Sequence, residues 1–372
     1  MSQRNVLIVL AAVAVLGALA LFGQRGGGNG SGGKLFAPAL EATLIDVDHV
    51  TITKANNETI VALERKADGW VATNKSGYPA DVGKLRQGLS ALAEAKILEQ
   101  KTSNPELYSH LGVEDVSGDK AAGLAIALSA KGKDLPVVIL GNADGSKHRY
   151  VRRADEAQSY LIDKNPEFAR GVGQWLDAQI IDVRSDRIAQ ITITQPDGQV
   201  LRLSKPNKDA ANYDVADMPK GRELLYPGVA NVVGNSLREL NLEDVEPAAA
   251  SAPAKPTVVE FRTFDGLVVK AEGEKRNDAS WVGFTASVDA AQIARVAATT
   301  TPTPPAQGAG APPEAPKPVA PAATADPAAE AARINAKVGP WRYKIATFQY
   351  DQMTRRLADL LKPPAAPTAK QN

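Results

Sequence analysis

The chain has 372 residues, enough for two or three domains rather than one core, and its 43 basic and 42 acidic residues nearly cancel. That balance supplies no bulk field to draw in nucleic acid, so no nucleic-acid partner is expected. The absence of cysteine excludes disulfides, thiolate metal sites, thiol nucleophiles and a lipidated cysteine anchor together, so any membrane attachment must be a peptide segment.

The chain opens with a 17-residue run, Val6 to Phe22, that carries no charged side chain and is just long enough to cross a bilayer, with Val6, Leu10, Val13, Leu16 and Phe22 along it. Arg4 precedes it and no acidic residue does, so the tip (1–24 with the span) is expected to stay cytoplasmic while the remainder is exported. Ala18-Leu19-Ala20 has the small-x-small form of a signal-peptidase site, and a cleaved signal peptide is the alternative. The Gly-rich stretch within 25–40 reads as a flexible tether, which makes sense when something upstream stays fixed. The expected location is the inner membrane, single-pass, with the main domains periplasmic.

Beyond the tether, an order of elements repeats at an offset of about 140 residues, the size of a domain. In the first copy (41–182), Val50 to Thr53 alternates as a half-buried strand, Asn56-Asn57-Glu58 turns, and Ile60 to Leu63 returns. Trp70-Val71-Ala72 extends the meander, and the spacing of Leu85, Leu89, Leu92 and Ala93 predicts a helix from Lys84 to Leu98. A second sheet is expected from Leu124 to Ser129, Pro136 to Leu140, His148 to Arg152 and Tyr160 to Asp163, closed by a helix from about Pro166 carrying Phe168, Val172 and Trp175.

The second copy (183–372) repeats the hairpin as Ile191 to Thr194, Pro196-Asp197-Gly198, and Val200 to Leu203, with Tyr213 to Val215 in place of the Trp70 strand. A helix is expected over Leu224 to Leu240, then strands at Val258 to Thr263, Leu267 to Ala271, Trp281 to Ala286 and Trp341 to Ala346, and a closing helix at Met353 to Leu361. The Pro- and Ala-rich stretches 247–256 and 290–328 read as a linker and a disordered insertion, because such composition buries too little apolar surface. The fold class expected is α+β: tandem duplicated lobes of antiparallel β-meanders, each packed by helices, preceded by one N-terminal transmembrane helix.

Chemistry is hard to find. His49, His110 and His148 stand apart without ligand spacing, no metal or other cofactor is expected, and Gly141 to Lys147 reads as a hairpin turn rather than a phosphate loop. The acidic pairs Asp46/Asp48, Glu114/Asp115 and Glu243/Asp244 read as solvated loops or caps, and no nucleophile elbow is present. Arg149, Tyr150, Arg152 and Arg153 form the densest basic and aromatic cluster and are the candidate interaction surface, read as alternating residues on an edge strand. Trp70, Trp175, Trp281 and Trp341 read as core anchors. The protein is expected not to be an enzyme.

Leu107 to Val113, Val138 to Asn142 leading into His148 to Arg152, Ser159 to Asp163, and the closing Trp341 to Ile345 with Arg355 to Leu361 together resemble the bacterial envelope family catalogued as domain of unknown function 4340. The likeness covers most of the chain after residue 40 and transfers no catalytic residue. Because members of that family are often encoded beside an ABC-type permease, its ATPase and a gliding-motility-like auxiliary protein, the resemblance implies an accessory role, with the bilayer and such a permease or auxiliary envelope protein as partners. The alternative expectation is an extracytoplasmic module binding a glycan or cell-wall fragment between its lobes. A hydrolase is a more distant third. A C-terminal alkaline phosphatase fusion is expected to be active in intact cells, and activity of a cytosolic reporter at the same place would contradict the orientation.

Overall fold

A computed structural model of the chain describes residues 33–250, 253–300 and 326–363. The apolar run at 6–22, the first half of the tether (25–32) and the central part of the insertion (301–325) lie outside the described residues. Among those that are described, no helix is long and apolar enough to cross a membrane.

Short helix α1 (Pro38–Thr43) leads into β1 (Val47–Lys54) and β2 (Glu58–Lys66), whose alternation places Val50, Ile52, Val61 and Leu63 on the buried face. Asn56 and Asn57 make the turn between them in left-handed backbone, φ 60° and 53°, which Asn tolerates better than most residues. Strands β3 (Gly69–Ala72) and β4 (Tyr78–Pro79) extend the meander, and helix α2 (Val82–Ala93) follows, capped by Asp81, which accepts from the Gly83 and Lys84 amides at 2.9 and 3.3 Å. The helix stops at Ala93 rather than Leu98, because Ile97–Gln100 is drawn into an edge strand, β5, against β10 (Ser159–Ile162).

Between these come a helical turn, α3 (Tyr108–Leu111), and the strands β6 (Leu124–Ala130), β7 (Lys133–Asp134), β8 (Val138–Asp144) and β9 (His148–Arg153). They do not form the separate second sheet expected. Strand β6 pairs directly with β1, Val50 opposite Leu128 and Ile52 opposite Ile126, so one sheet runs β4-β3-β2-β1-β6-β8-β9-β10-β5, with β7 attached to β6. Apolar faces on both segments join edge to edge because one continuous ladder satisfies backbone groups that two sheets would leave at open edges. The helix expected after Pro166 is only a 3-10 turn, Val172–Trp175.

A two-stranded ribbon of β11 (Gln179–Ile181) and β15 (Leu240–Asn241) follows the first sheet. The second sheet contains β12 (Ile188–Thr194), β13 (Val200–Ser204), β14 (Asp214–Val215), β16 (Asp244–Pro247), β17 (Thr257–Thr263), β18 (Leu267–Arg276), β19 (Ala279–Val288) and β20 (Trp341–Ile345). Its order is β14-β13-β12-β17-β18-β19-β20-β16, which repeats the strand succession of the first sheet, including an edge strand, β16, that sits where β5 does. All the pairings are antiparallel. The architecture is thus mixed helix and strand built on antiparallel sheets.

The helix expected over Leu224 to Leu240 is reduced to one turn, α4 (Asn231–Gly234). Tyr213 fills the space a longer helix would need: its ring lies so close to Gly234 that a Cβ there would meet it at 2.6 Å, while its hydroxyl donates to the Ile188 carbonyl at 3.1 Å. The insertion begins as helix α5 (Ala290–Thr300), not as disordered chain, and its far end forms helix α6 (Pro327–Val338), packed on β19 and β18. Asn335 of α6 accepts from the Ala286 amide and donates to its carbonyl, both at 2.7 Å, substituting for a strand partner where β19 runs past the end of β20. Arg187 adds a second tie, reaching Glu330 of α6 at 2.8 Å and Asp265 at 2.9 Å. Burial pushes the Asp265 carboxyl up, but hydrogen bonds from Thr263 and Arg187 outweigh it and hold the group below its ordinary value. The single closing helix expected is two, α7 (Thr347–Met353) and α8 (Leu357–Leu360), parted at Thr354.

The two sheets share one contiguous core. Tyr78 stands at the seam, edge-on to Trp341 at 5.1 Å and Tyr343 at 6.2 Å between ring centres, and its hydroxyl donates to the Asp177 carbonyl at 3.0 Å. Burial raises its hydroxyl pKa to about 12. Gly173 is pressed against the Glu243 backbone, where an added Cβ would lie 2.6 Å from the carbonyl oxygen. Because backbone cannot swing aside, Gly173→Ala should cost about 1–3 kcal/mol in urea unfolding. Gly171→Ala, with open space around its Cβ position, should be near neutral.

Candidate interaction groove

The sequence-nominated cluster does not form a charged outer surface. Strand β9 is interior, flanked by β8 and β10, and its arginines turn back into the fold. The Arg152 side chain is 4% exposed: Nε donates to the Val113 carbonyl at 2.9 Å, Nη1 to those of Ala154 and Glu156 at 3.2 and 3.1 Å, and Nη2 to Asp115 at 2.5 Å. Its guanidinium also lies over the Tyr108 ring, 4.7 Å from the centroid. Arg153 holds Glu156 through Nη1 at 2.7 and 2.9 Å, donates through Nη2 to the Phe36 carbonyl, and stacks on the Phe36 ring at 4.7 Å. Tyr150 is half-buried beside the small apolar cluster of Tyr108, Val113 and Ile139. Arg149 is also half-buried, bonded to Asn165 and to the Gly141 carbonyl. The cluster is therefore largely a clamp that joins β9 to the 108–116 segment and to the chain entering at Phe36.

The other nominated groups scatter. His49 is exposed on β1 beside Asp48 (2.9 Å) and Glu64 (3.7 Å), His110 lies in α3, and His148 opens β9. Among the described residues, no group of three His, Cys, Asp or Glu could hold a metal. Gly141 to Lys147 spans the β8–β9 hairpin turn, with Gly145 at φ 67°. Asp46 pairs with Lys131 at 2.7 Å, Glu243 with Lys344 at 3.4 Å and Asp244 with Lys75 at 2.6 Å, while the last two flank and enter edge strand β16 rather than a loop. Trp175 is buried in the core, whereas Trp281 is partly exposed under Arg276 at 4.8 Å.

What sequence reasoning missed is an apolar groove of about 570 Å³ between helix α2 and the β2–β3 turn, floored by Val47, Leu85 and Leu89 and walled by Leu44, Ile45 and Trp70. Ile45 is 82% exposed, which is unusual for a large aliphatic side chain beside an open apolar cleft. Arg65, Lys66 and Arg86 form the rim, and no carboxylate lines it. Arg65 donates twice to the Ile45 carbonyl, at 3.0 and 2.8 Å, and so fixes the loop that presents Ile45. The signal in sequence was slight: Leu44 and Ile45 fall between helix and strand, where neither periodicity applies.

Replacing Arg152 by Met should keep much of the volume yet strip the buried Val113 carbonyl and the carbonyls of Ala154 and Glu156 of their donor. A loss of about 2–4 kcal/mol in chemical denaturation is expected, well above that of an exposed substitution.

A family model described as a domain of unknown function (DUF4340) matches residues 70–257, just over half of the chain, from β3 to the start of β17. The closing strand β20 and helices α7 and α8 fall outside the matched span. Comparison with curated proteins and with solved structures gave no match. On the strength of that span, which takes in both the first sheet's later strands and the seam between the sheets, the chain belongs to the DUF4340 family.

Proposed function

We propose that this protein is a non-enzymatic, membrane-anchored accessory subunit of an ABC-type export or envelope-assembly system, acting outside the cytoplasm through protein–protein contacts. The observation that carries the reading is the uncovered apolar groove with its cationic rim. Three of the sheet ends are poorer contact surfaces, since β4 and β16 each end in proline and β14 has two residues, and the remaining one, β5, is four residues long with Glu99 exposed beside Leu98. The groove better fits an apolar segment flanked by acidic residues on the partner, because Arg86 has no partner among the described residues and Arg65 is held only by a carbonyl, while Lys66 is already paired with Glu64.

The apolar run at 6–22 supports the anchoring part of this reading, and the groove belongs to the part of the chain that follows the tether most closely. The repeated strand order supports a tandem duplication as the origin of the two lobes.

Affinity purification of the full-length protein after crosslinking in cells should recover an ABC-type permease or its ATPase. Ile45→Glu should abolish that recovery while shifting stability by less than about 0.5 kcal/mol, since the side chain is exposed. Recovery of the protein alone, or unchanged recovery with the Ile45→Glu variant, would overturn the reading.

A further inference from the structure

Of the three arginines on β9, only Arg149 lacks a carboxylate partner. Its Nε donates to Asn165 Oδ1 at 2.7 Å and its Nη1 to the Gly141 carbonyl at 3.1 Å, both neutral acceptors, and its Nη2 has no partner among the described residues. Burial makes its charge harder to hold, Glu167 nearby offsets part of that, and Arg170 adds to it. A guanidinium does not deprotonate to escape such a site, so it stays a cation that the fold orients without neutralising.

The side chain lines a cavity of about 440 Å³ together with Lys84, Gln87, Glu167, Gln174 and the aromatic pair Phe168 and Trp175, whose rings lie 5.7 Å apart. Lys84, in the first turn of α2, also has no side-chain partner among the described residues. A neighbouring cavity of about 510 Å³ shares Lys84 and Gln174 and extends along the seam between the lobes to Lys344. The carboxylates there are already engaged, Glu243 by Lys344 and Asp244 by Lys75. Glu167 is thus the one carboxylate of the first cavity, set against two cations, and the volume is in the range of small-molecule sites, about 300–1,000 Å³.

We propose that this first-lobe cavity, beside the seam, binds a small ligand through a carboxylate or phosphate group held by Arg149 and Lys84, with Gln87 and Gln174 hydrogen-bonding its polar body. A carboxylate or phosphate can take the free Nη2 of Arg149 at one oxygen and Lys84 at another, adding to the counter-charge that Glu167 supplies only in part. Phe168 and Trp175 are buried behind the cavity and give it an apolar wall, and the two amides can donate to or accept from hydroxyls. The site is separate from the groove at Ile45 and does not rest on the transporter reading.

Isothermal titration of the full-length protein in detergent, with sodium glucuronate, inorganic phosphate and glucose as probes, tests the proposal. At least one anion should bind saturably, and glucose more weakly than that anion. Phosphate alone would identify a phosphate-bearing ligand, and glucuronate alone a carboxylated one. Arg149→Gln should weaken the bound anion about tenfold or more. Lys84→Gln should weaken it in the same direction, and because Lys84 is exposed that variant keeps the test decisive even if Arg149→Gln fails to fold. Saturation by neither anion, glucose binding as tightly as the anion that saturates, or affinities unchanged in both variants would overturn it.

Discussion

Each antiparallel sheet of this protein has a main apolar face, and the two faces are buried in a single continuous core that crosses the seam between the lobes, while a smaller cluster of Tyr108, Val113, Ala125 and Ile139 covers part of the first sheet's other face. Neither lobe therefore closes its interior without the other. Tyr78, Trp341 and Tyr343 meet edge-on at that seam, with Gly173 packed on the Glu243 backbone beside them. Aromatic contacts of this kind add roughly 0.5–1.5 kcal/mol each beyond their buried area. The relative position of the lobes follows from these contacts, and with it the cavities that lie along the seam.

The long-range pairings β1 with β6 and β12 with β17 do the same work within each lobe. They join a local hairpin to strands more than 60 residues later in the chain, so the ladder is continuous and few backbone groups are left at interior edges. Helix α6 extends that logic after the Pro-rich insertion. Asn335 takes both backbone groups of Ala286, and Glu330 binds Arg187, so the chain re-enters the fold in a defined register. An insertion is tolerated there because its two ends, α5 and α6, are built into or beside the same sheet.

Charge is distributed in two ways with different consequences. Arg152 and Arg153 are consumed by carbonyls, rings and carboxylates of the fold, which is why an alternating basic strand that reads as a surface acts as an internal clamp. Arg86 at the groove, and Arg149 and Lys84 in the cavity beside the seam, have no carboxylate partner among the described residues and are placed at open clefts where they can contact something else. Exposure of Ile45 belongs with them: an apolar side chain held out by Arg65 has a surface to give to a partner.

Local alternation and turn chemistry determined the strands: Val50 to Thr53 with Asn56-Asn57, and Ile191 to Thr194 with Pro196-Asp197-Gly198, are legible because period and turn are set by neighbours in sequence. The absence of cysteine and the balanced charge were likewise properties of the chain alone. Helices were misread where periodic leucines and valines at 224–240, and Ile97 and Leu98, belonged to turns and an edge strand. Apolar spacing shows that a residue will be buried but not whether a helix or a sheet will bury it. Which strands pair, which arginines lose their freedom to carbonyls, and which cleft stays open were decided only in three dimensions, because each depends on groups 30 or more residues apart meeting at hydrogen-bonding distance.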